Sequence, residues 1–275
     1  MLYNITFSPT GTSAKVADAI TEGILSTAKL EPTRHNLTNS NAEEIELCAD
    51  DIAVISAPVY GGKMAPIAKE RMKNLKGDGT PCVIVAVYGN RAFENALNDM
   101  AEFVTERGFM PIAAAAFVGE HSYSSATNPI AVGRPDAKDI SDAMKFGREI
   151  AEHLPANSLH RIDTTVLTDE PSPAESLTNF RNFVMSYIQQ QKEAPRQYLP
   201  EVNTELCNEC GACVDICPTG AIGDDCITVD ASKCIKCCAC VKSCPAGARS
   251  LFSPFAPVLS ANFSQRKSPL TALGI

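Results

Sequence analysis

Tryptophan is absent from this 275-residue sequence, and aromatic residues make up only 6% of it. Long apolar runs are missing as well, because the longest, such as residues 83–87 and 112–118, are strand-sized and fall short of the ~18 residues of a membrane-spanning helix. Basic residues are in deficit, with a net charge of −8 and no basic run longer than Arg266-Lys267. We therefore expect neither a membrane nor a nucleic acid among the partners of this protein.

The first residues show no export signal. Residues 1–6 have neither the basic start nor the long apolar run of a signal peptide, which predicts a cytoplasmic protein. With 45% hydrophobic and 20% charged residues the chain is able to bury a core, and its length leaves room for one main domain and a small second one. An acidic chain of this kind more often meets basic patches on partner proteins.

Cysteine, by contrast, is abundant. Ten of the 12 cysteines lie between Cys207 and Cys244, and without an export signal this density indicates metal ligation rather than disulfides. The spacing C-x2-C-x2-C-x3-C-P runs from Cys207 to Pro218 and again from Cys234 to Pro245, with every position shifted by 27 residues. The segment is therefore an internal duplication.

This spacing resembles that of bacterial ferredoxins with two 4Fe-4S clusters, in which the fourth cysteine of each run serves the other cluster. The resemblance implies two ligand sets: Cys207, Cys210, Cys213 and Cys244 for cluster one, and Cys234, Cys237, Cys240 and Cys217 for cluster two. Two zinc sites are the alternative, although zinc sites usually pair two C-x2-C knuckles across a longer gap. The other thiols are either redox or ligand groups or small buried apolar residues: Cys48, Cys82, Cys226 and Cys238.

The first 155 residues alternate between short apolar runs and longer amphipathic stretches, which is the pattern of strands alternating with helices. The predicted strands are 2–7, 33–37, 51–57, 81–88 and 109–118. The predicted helices are 13–28, 92–107 and 136–154, with a further one at 174–192. This pattern predicts an α/β fold with a five-stranded parallel sheet, and the resemblance to bacterial ferredoxins implies a small α+β two-cluster domain after it.

The loop after the first predicted strand suits a phosphate group. Its sequence Ser8-Pro9-Thr10-Gly11-Thr12-Ser13 combines hydroxyl groups, one glycine and the start of a helix. No Gly-Lys-Ser/Thr follows, so a nucleoside triphosphate with magnesium is not supported. Serine and threonine also cap helices with no ligand present, and this reading stays open.

Three loops together resemble the flavodoxin family, and each follows a predicted strand. Residues 8–13 are similar to the family's phosphate loop, and Pro58-Val59-Tyr60-Gly61-Gly62 stands where flavodoxins place an aromatic and a glycine beside the flavin. Gly89-Asn90-Arg91-Ala92-Phe93 is similar to the G-D-x-x-Y loop, with Asn90 for the acid and Phe93 for the tyrosine. The resemblance implies a flavodoxin-like, doubly wound five-stranded parallel sheet with bound FMN. It further implies that Phe93 stacks on the ring and that Asn90, being uncharged, repels the reduced flavin less than an acid would. The alternative is a flavodoxin-like fold without cofactor, in which Tyr60 and Phe93 fill the core.

A fourth loop, residues 119–124, leaves the fifth predicted strand with polar groups, of which His121 is a candidate proton donor to a flavin or substrate. The whole chain resembles the flavodoxin–ferredoxin fusion proteins of anaerobes. The implied domains are 1–155 for the FMN-binding part, 156–201 for a helical extension and linker, 202–252 for the ferredoxin part, and 253–275 for a tail that packs on either domain or docks a partner.

Clusters exchange single electrons whereas FMN accepts one or two, so the combination predicts an electron-transfer protein that serves redox partner proteins. Two alternatives remain: an FMN-dependent reductase of a small-molecule acceptor fed by its own clusters, and a non-redox module with structural clusters. Whether the protein is an enzyme is left open, as is a homodimer. No G-x-G-x-x-G run follows a predicted strand, which gives no support to a nicotinamide site.

Overall fold

A computed structural model describes residues 1–40, 44–154 and 158–275. The chain divides into two compact units. Unit 1 comprises Met1–Glu120, Gly133–Glu170 and Lys267–Ile275, and unit 2 comprises His121–Val132 and Pro171–Arg266. This division differs from the predicted domains, because a short loop from the first half joins unit 2 and the end of the tail joins unit 1. The predicted boundary at residue 155 lies outside the described residues.

Unit 1 is an α/β unit in which strands and helices alternate. Its strands are β1 (Leu2–Thr6), β2 (Pro32–Asn36), β3 (Ile45–Leu47), β4 (Ile52–Tyr60), β5 (Lys63–Met64), β6 (Leu75–Gly77), β7 (Thr80–Tyr88), β8 (Phe109–Val118) and, from the tail, β11 (Leu270–Leu273). Its helices are α1 (Thr12–Leu25), α2 (Pro66–Arg71), α3 (Ala96–Thr105), α4 (Ala137–His153) and a 3-10 turn at Thr164–Val166.

The central sheet runs in the order β11-β8-β7-β4-β1-β2, with the short β5 paired to β4. The five strands β2, β1, β4, β7 and β8 are parallel. Counted along the chain, their order is 2-1-3-4-5, which is the flavodoxin-like doubly wound topology. The predicted fold class is therefore confirmed. Strand β11 was not predicted, and it pairs antiparallel with β8 at the edge of the sheet.

Helices cover both faces of this sheet. Val83, Val85 and Val87 of β7 belong to one buried cluster with residues of α1 and α4. Because side chains alternate along a strand, Ile84 and Ala86 point to the opposite face, where α3 contacts β7 and β8. Burial on both faces explains why the central strands read as continuous apolar runs.

Helices α1 and α4 approach each other at two glycines. A Cβ atom on Gly147 would lie 2.1 Å from the carbonyl oxygen of Ile20, and one on Gly23 would lie 2.2 Å from that of Met144. Both contacts would be with backbone carbonyl oxygens, which do not move unless their helix moves. Any larger residue must therefore push the helices apart. Close packing, and not backbone conformation, is what requires glycine here.

Replacing Gly147 by alanine should therefore destabilise unit 1 by about 2 kcal/mol, the usual cost of overpacking a core. The melting temperature should fall by roughly 4–8 °C, measured by circular dichroism. The control is Lys15→Ala on the exposed side of α1, which should change the free energy of unfolding by no more than about 0.5 kcal/mol. An unchanged melting temperature for Gly147→Ala would show that the two helices separate without cost.

Two element boundaries differ from those predicted. The third parallel strand does not end at Ala57 but continues to Tyr60, and a two-residue turn leads it into β5. The helix expected from residue 92 begins only at Ala96, since the preceding residues form an irregular loop in which Asn90 and Glu94 have positive φ. The other three predicted helices, α1, α4 and one at Ala174–Glu193, lie within three residues of their predicted ends, whereas the short α2 was not predicted.

Unit 2 contains the duplicated cysteine segment. Its elements are α5 (Ala174–Glu193), β9 (Glu201–Val202), α6 (Ala212–Asp215), α7 (Ala239–Lys242), β10 (Arg249–Ser250) and α8 (Phe255–Asn262). Strands β9 and β10 pair antiparallel and join the two ends of the segment. Helix α5 was predicted, and its aromatic side packs edge-on against α8 through the Phe180–Phe263 and Phe183–Phe255 ring pairs.

No helix among the described residues combines the length and the apolar character needed to cross a bilayer.

Candidate iron–sulfur and flavin sites

The structure brings the eight motif cysteines together around two cavities of unit 2. The first cavity is lined by Cys207, Cys210, Cys213 and Cys244. The second is lined by Cys217, Cys234, Cys237 and Cys240. Each cavity thus has three cysteines from one repeat and the fourth from the other repeat. A fifth thiol also lines each wall, Cys226 in the first cavity and Cys238 in the second.

The two repeats achieve this with the same backbone. Glu209 and its equivalent Lys236 have φ of 55° and 56°, and Gly211 and its equivalent Cys238 have φ of 76° and 60°. These residues, in the left-handed conformation, bend each loop so that cysteines separated by two other residues face the same cavity. A single helical turn follows. Cysteine at position 238 accepts a conformation that favours glycine, at a cost on the order of 1 kcal/mol.

The fourth cysteine of each run is held by backbone N–H groups. Ala221 donates to Cys217 Sγ at 3.2 Å, and Ala248 donates to Cys244 Sγ at 3.3 Å. Burial raises the pKa of both thiols, but several backbone N–H groups facing each sulfur outweigh it, so that both pKa values lie below the ordinary value. The thiolate form of both sulfurs is therefore stabilised, and the thiolate is the form that binds a metal.

The cysteines deeper in the second cavity differ, since burial raises the pKa of Cys237 to about 11 and those of Cys240 and Cys238 to about 12. Metal binding deprotonates such thiols outright. The four-cysteine donor sets are of the all-thiolate kind that suits iron–sulfur clusters and zinc. The cysteines line each cavity without converging on one point. Among the described residues, no three of His, Cys, Asp and Glu lie close enough to hold one metal ion.

In unit 1, the predicted phosphate loop joins β1 to α1 at the carboxyl edge of the sheet. Gly11 takes φ of 78° and caps α1. Ser8 Oγ accepts the N–H of Ala14 at 3.0 Å, so this hydroxyl caps the helix, as the alternative reading proposed. Within the described residues the N–H groups of Thr12 and Ser13 have no acceptor, and they are the groups that a first helical turn offers to an anion.

Gly119, at the end of β8, lies directly on this loop. A Cβ atom there would be 2.6 Å from Cγ2 of Thr12 and 3.0 Å from Cγ1 of Val87. Glycine at this position lets the chain leaving β8 pass close to Thr12.

The loop predicted at residues 58–62 is instead the end of β4 and a tight hairpin turn. Tyr60 pairs with Lys63 of β5, and Gly61 and Gly62 both have positive φ, as such a turn requires. A Cβ atom on Gly62 would lie 1.9 Å from Oε2 of Glu94, so the side chain of Glu94 rests on this turn. The two loops expected beside a flavin ring therefore touch each other.

The predicted stacking of Phe93 on a flavin is not supported. Its side chain is 1% exposed and packs edge-on against Tyr88, with ring centroids 5.7 Å apart. Its backbone N–H and that of Glu94 donate to the carboxylate of Asp169 at 2.7 and 2.8 Å. For Phe93, the core-filling alternative is the one that the structure shows.

Two residues of this region were not identified from the sequence. Asp169 approaches from the segment after α4, and Lys267 approaches from the tail, where its Nζ donates to the carbonyl oxygens of Arg91 and Glu170 at 2.7 and 2.9 Å. Burial lowers the pKa of Lys267. Neither residue belongs to a local motif, so only the three-dimensional contacts reveal them.

His121 lies in the loop of unit 2, and its ring is engaged there. Its Nδ1 accepts the N–H of Tyr123 at 3.0 Å, and the two rings lie 5.0 Å apart. Burial raises the pKa of Tyr123 to about 12, with smaller contributions from Cys238 and the other thiols of the second cavity. The same loop is tied to α7 by the donation of Lys242 Nζ to the carbonyl oxygen of Ser124 at 3.1 Å.

A comparison with protein families finds the 4Fe-4S binding domain twice, at residues 200–223 and 227–250. The two matches coincide with the two repeats. The chain joins a flavodoxin-like fold to a 4Fe-4S domain. No curated protein matches the chain.

The flavodoxin-like part is similar in three dimensions to an archaeal flavodoxin, at 18% identity, covering 56% of this chain and 99% of that one with a TM-score of 0.39. Flavodoxin 2 of Bacillus cereus gives 17% identity, 56% and 98% coverage and a TM-score of 0.39. The flavodoxin of Megasphaera elsdenii gives 15% identity, covers 53% of this chain and 98% of that one, and has a TM-score of 0.35. The assignment of the fold rests on the strand order of unit 1.

Proposed function

We propose that this protein is an electron-transfer iron–sulfur flavoprotein that relays single electrons between two 4Fe-4S clusters and an FMN, on behalf of redox partner proteins. The observation that carries the proposal is the pair of cavities, each lined by three cysteines of one repeat and the fourth of the other. A 4Fe-4S cluster exchanges one electron, and FMN exchanges one or two.

The cavities support a specific assignment of ligands. Cys207, Cys210, Cys213 and Cys244 hold cluster one, and Cys234, Cys237, Cys240 and Cys217 hold cluster two. The match of both repeats to the 4Fe-4S binding domain favours clusters over the zinc alternative. The N–H groups donated to Cys217 and Cys244 stabilise sulfurs that carry charge.

The phosphate loop of unit 1 supports the FMN. The N–H groups of Thr12 and Ser13 and the exposed hydroxyl of Thr10 suit its phosphate, and Gly11 leaves the approach open because no atom lies within 4 Å of an added Cβ. Tyr60, on the hairpin turn, is the aromatic residue left to contact the ring. Phe93 takes no part, since it is buried.

Neither alternative gains an observation of its own. His121, the candidate proton donor of a reductase, is engaged with Tyr123 inside its loop. A purely structural role for the clusters predicts that the protein does not change colour on reduction, which the next experiment examines.

The proposal is tested on full-length protein purified without oxygen, with iron, sulfide and flavin counted per chain. We expect about eight iron and eight sulfide, the content of two 4Fe-4S clusters, and one FMN, with visible absorbance that bleaches on reduction and returns on oxidation. Zinc in place of iron, or colour that does not respond to a reductant, would refute the electron-transfer function. Clusters without flavin would refute only the FMN part.

A further inference from the structure

Arg249 is a buried cation on the wall of the first cavity. Its side chain lines that cavity together with the cysteines assigned to cluster one, and the residue is only 4% exposed. An arginine guanidinium stays charged in proteins, and burial without a partner is costly. Burying the charge of Arg249 at this position is therefore costly unless a negatively charged group in the cavity compensates it.

Within the described residues, only part of this guanidinium is satisfied. Nη2 donates to the carbonyl oxygen of Cys226 at 2.5 Å, which fixes the group in place. Nε and Nη1 are buried and have no hydrogen-bond partner. No carboxylate forms an ion pair with Arg249 in the described residues. The charge of Arg249 makes a small contribution to the lowered pKa of the exposed Asp225, whose carboxylate accepts hydrogen bonds from Ile227 and Thr228 of its own turn.

The internal duplication provides a comparison. The residue equivalent to Arg249 in the first repeat is Ile222, which lines the second cavity. The two cavities have matching sets of four cysteines but differ at several other wall positions. At this one, the first cavity has a buried cation with N–H donors that lack a partner, and the second has an aliphatic side chain. The second cavity has a cation of its own, Lys236, but this residue is only half-buried.

We propose that Arg249 makes cluster one the easier of the two clusters to reduce. The proposal rests on the cluster assignment above. Reduction adds one electron and no proton to cluster one, and the electron comes from a one-electron donor or from cluster two, which is then oxidised. The added negative charge is stabilised by a buried cation and by hydrogen bonds to cluster sulfurs, both of which raise the reduction potential. Cluster two, beside Ile222, has no such buried cation on its wall, because Lys236 is half-buried and water screens its charge. Arg249 also interacts through its charge with Cys240 of cluster two, so we expect a smaller effect there.

The test is a redox titration of the anaerobically purified full chain, followed by electron paramagnetic resonance. The two clusters of the wild-type protein should give two one-electron steps, in addition to those of the flavin. In Arg249→Met the upper step should move down by more than the lower one, with the ratio of reduced to oxidised cluster one falling about tenfold at fixed potential, or about 59 mV. Arg249→Gln keeps hydrogen-bond donors but loses the charge, and should shift the same step in the same direction.

The matched control is Lys233→Met, which removes one positive charge from an exposed position of the same segment, where the side chain is 57% exposed. Water and salt screen this charge, so both steps should stay in place. Iron and sulfide are counted first in every variant. Two clusters with an unchanged upper step in either Arg249 variant, or with both steps moved equally, overturn the role of Arg249 and leave the electron-transfer function intact. A wild-type protein without two reducible clusters refutes that function instead.

Discussion

Replacing Cys244 and Cys237 together by alanine should abolish both clusters, whereas replacing Cys244 and Cys210 together should leave one cluster intact. The reason is the crossed arrangement of the cavities, in which Cys244 lines the wall with Cys210 and not with Cys237. Iron and sulfide per chain should fall to near zero in the first double variant and to about half of the wild-type content in the second.

The opposite result would contradict the crossed arrangement, since fourth cysteines that served their own repeats would make Cys244 and Cys237 share one cluster. The control is Cys48→Ala, because this thiol is exposed and lies in unit 1. It should retain full iron and sulfide content. Circular dichroism of both double variants shows whether the sheet of unit 1 stays folded.

The sheet and the eight motif cysteines were predictable from the sequence because each depends on a pattern within a short segment. Apolar runs of strand length marked four of the five parallel strands, whereas the polar stretch 33–37 was the weakest strand prediction. Equal spacing in the two repeats marked the eight cysteines. The grouping of Cys217 and Cys244 with the opposite repeats came from a family resemblance, since spacing alone does not state which cysteines meet. The structure places them in those groups.

Contacts between distant segments were not predictable in the same way. Strand β11 consists of Leu270–Leu273, a short run directly after Pro269, and it is a strand because the edge of β8 offers it a partner. Phe93 reads as a flavin-stacking aromatic by position, yet the loop before α3 turns it into the core beside Tyr88. Asp169 takes the N–H groups of that loop from 75 and 76 residues away.

The two repeats share a backbone conformation but differ in the residues at some equivalent positions. Gly211 and Cys238 both have the left-handed backbone conformation in the two repeats, so the repeated fold alone does not distinguish the two cavities. Arg249 and Ile222 occupy equivalent positions with opposite polarity. Two cavities with matching sets of cysteines therefore differ in chemistry at such positions.

Replacing Thr10 by aspartate should remove the flavin while leaving the protein folded and its clusters in place. The carboxylate would lie in the phosphate loop and repel a phosphate of charge near −2, which at a few ångströms in water weakens FMN binding by about 2 kcal/mol, or roughly thirtyfold. An acid just before α1 does not harm the helix, because the N-terminal end of a helix favours negative charge. Flavin content on purification and FMN titration of the stripped protein measure the effect.

The matched control is Thr10→Asn, which has nearly the shape of aspartate without its charge and should retain FMN within about a factor of three. Riboflavin lacks the phosphate, so its affinity should be the same in the Thr10→Asp and Thr10→Asn variants. Equal FMN affinity in these two variants would place the phosphate elsewhere. A parallel loss of riboflavin would mean that the substitution disturbs the ring site and not the phosphate loop, because only a charged ligand senses the new carboxylate at long range.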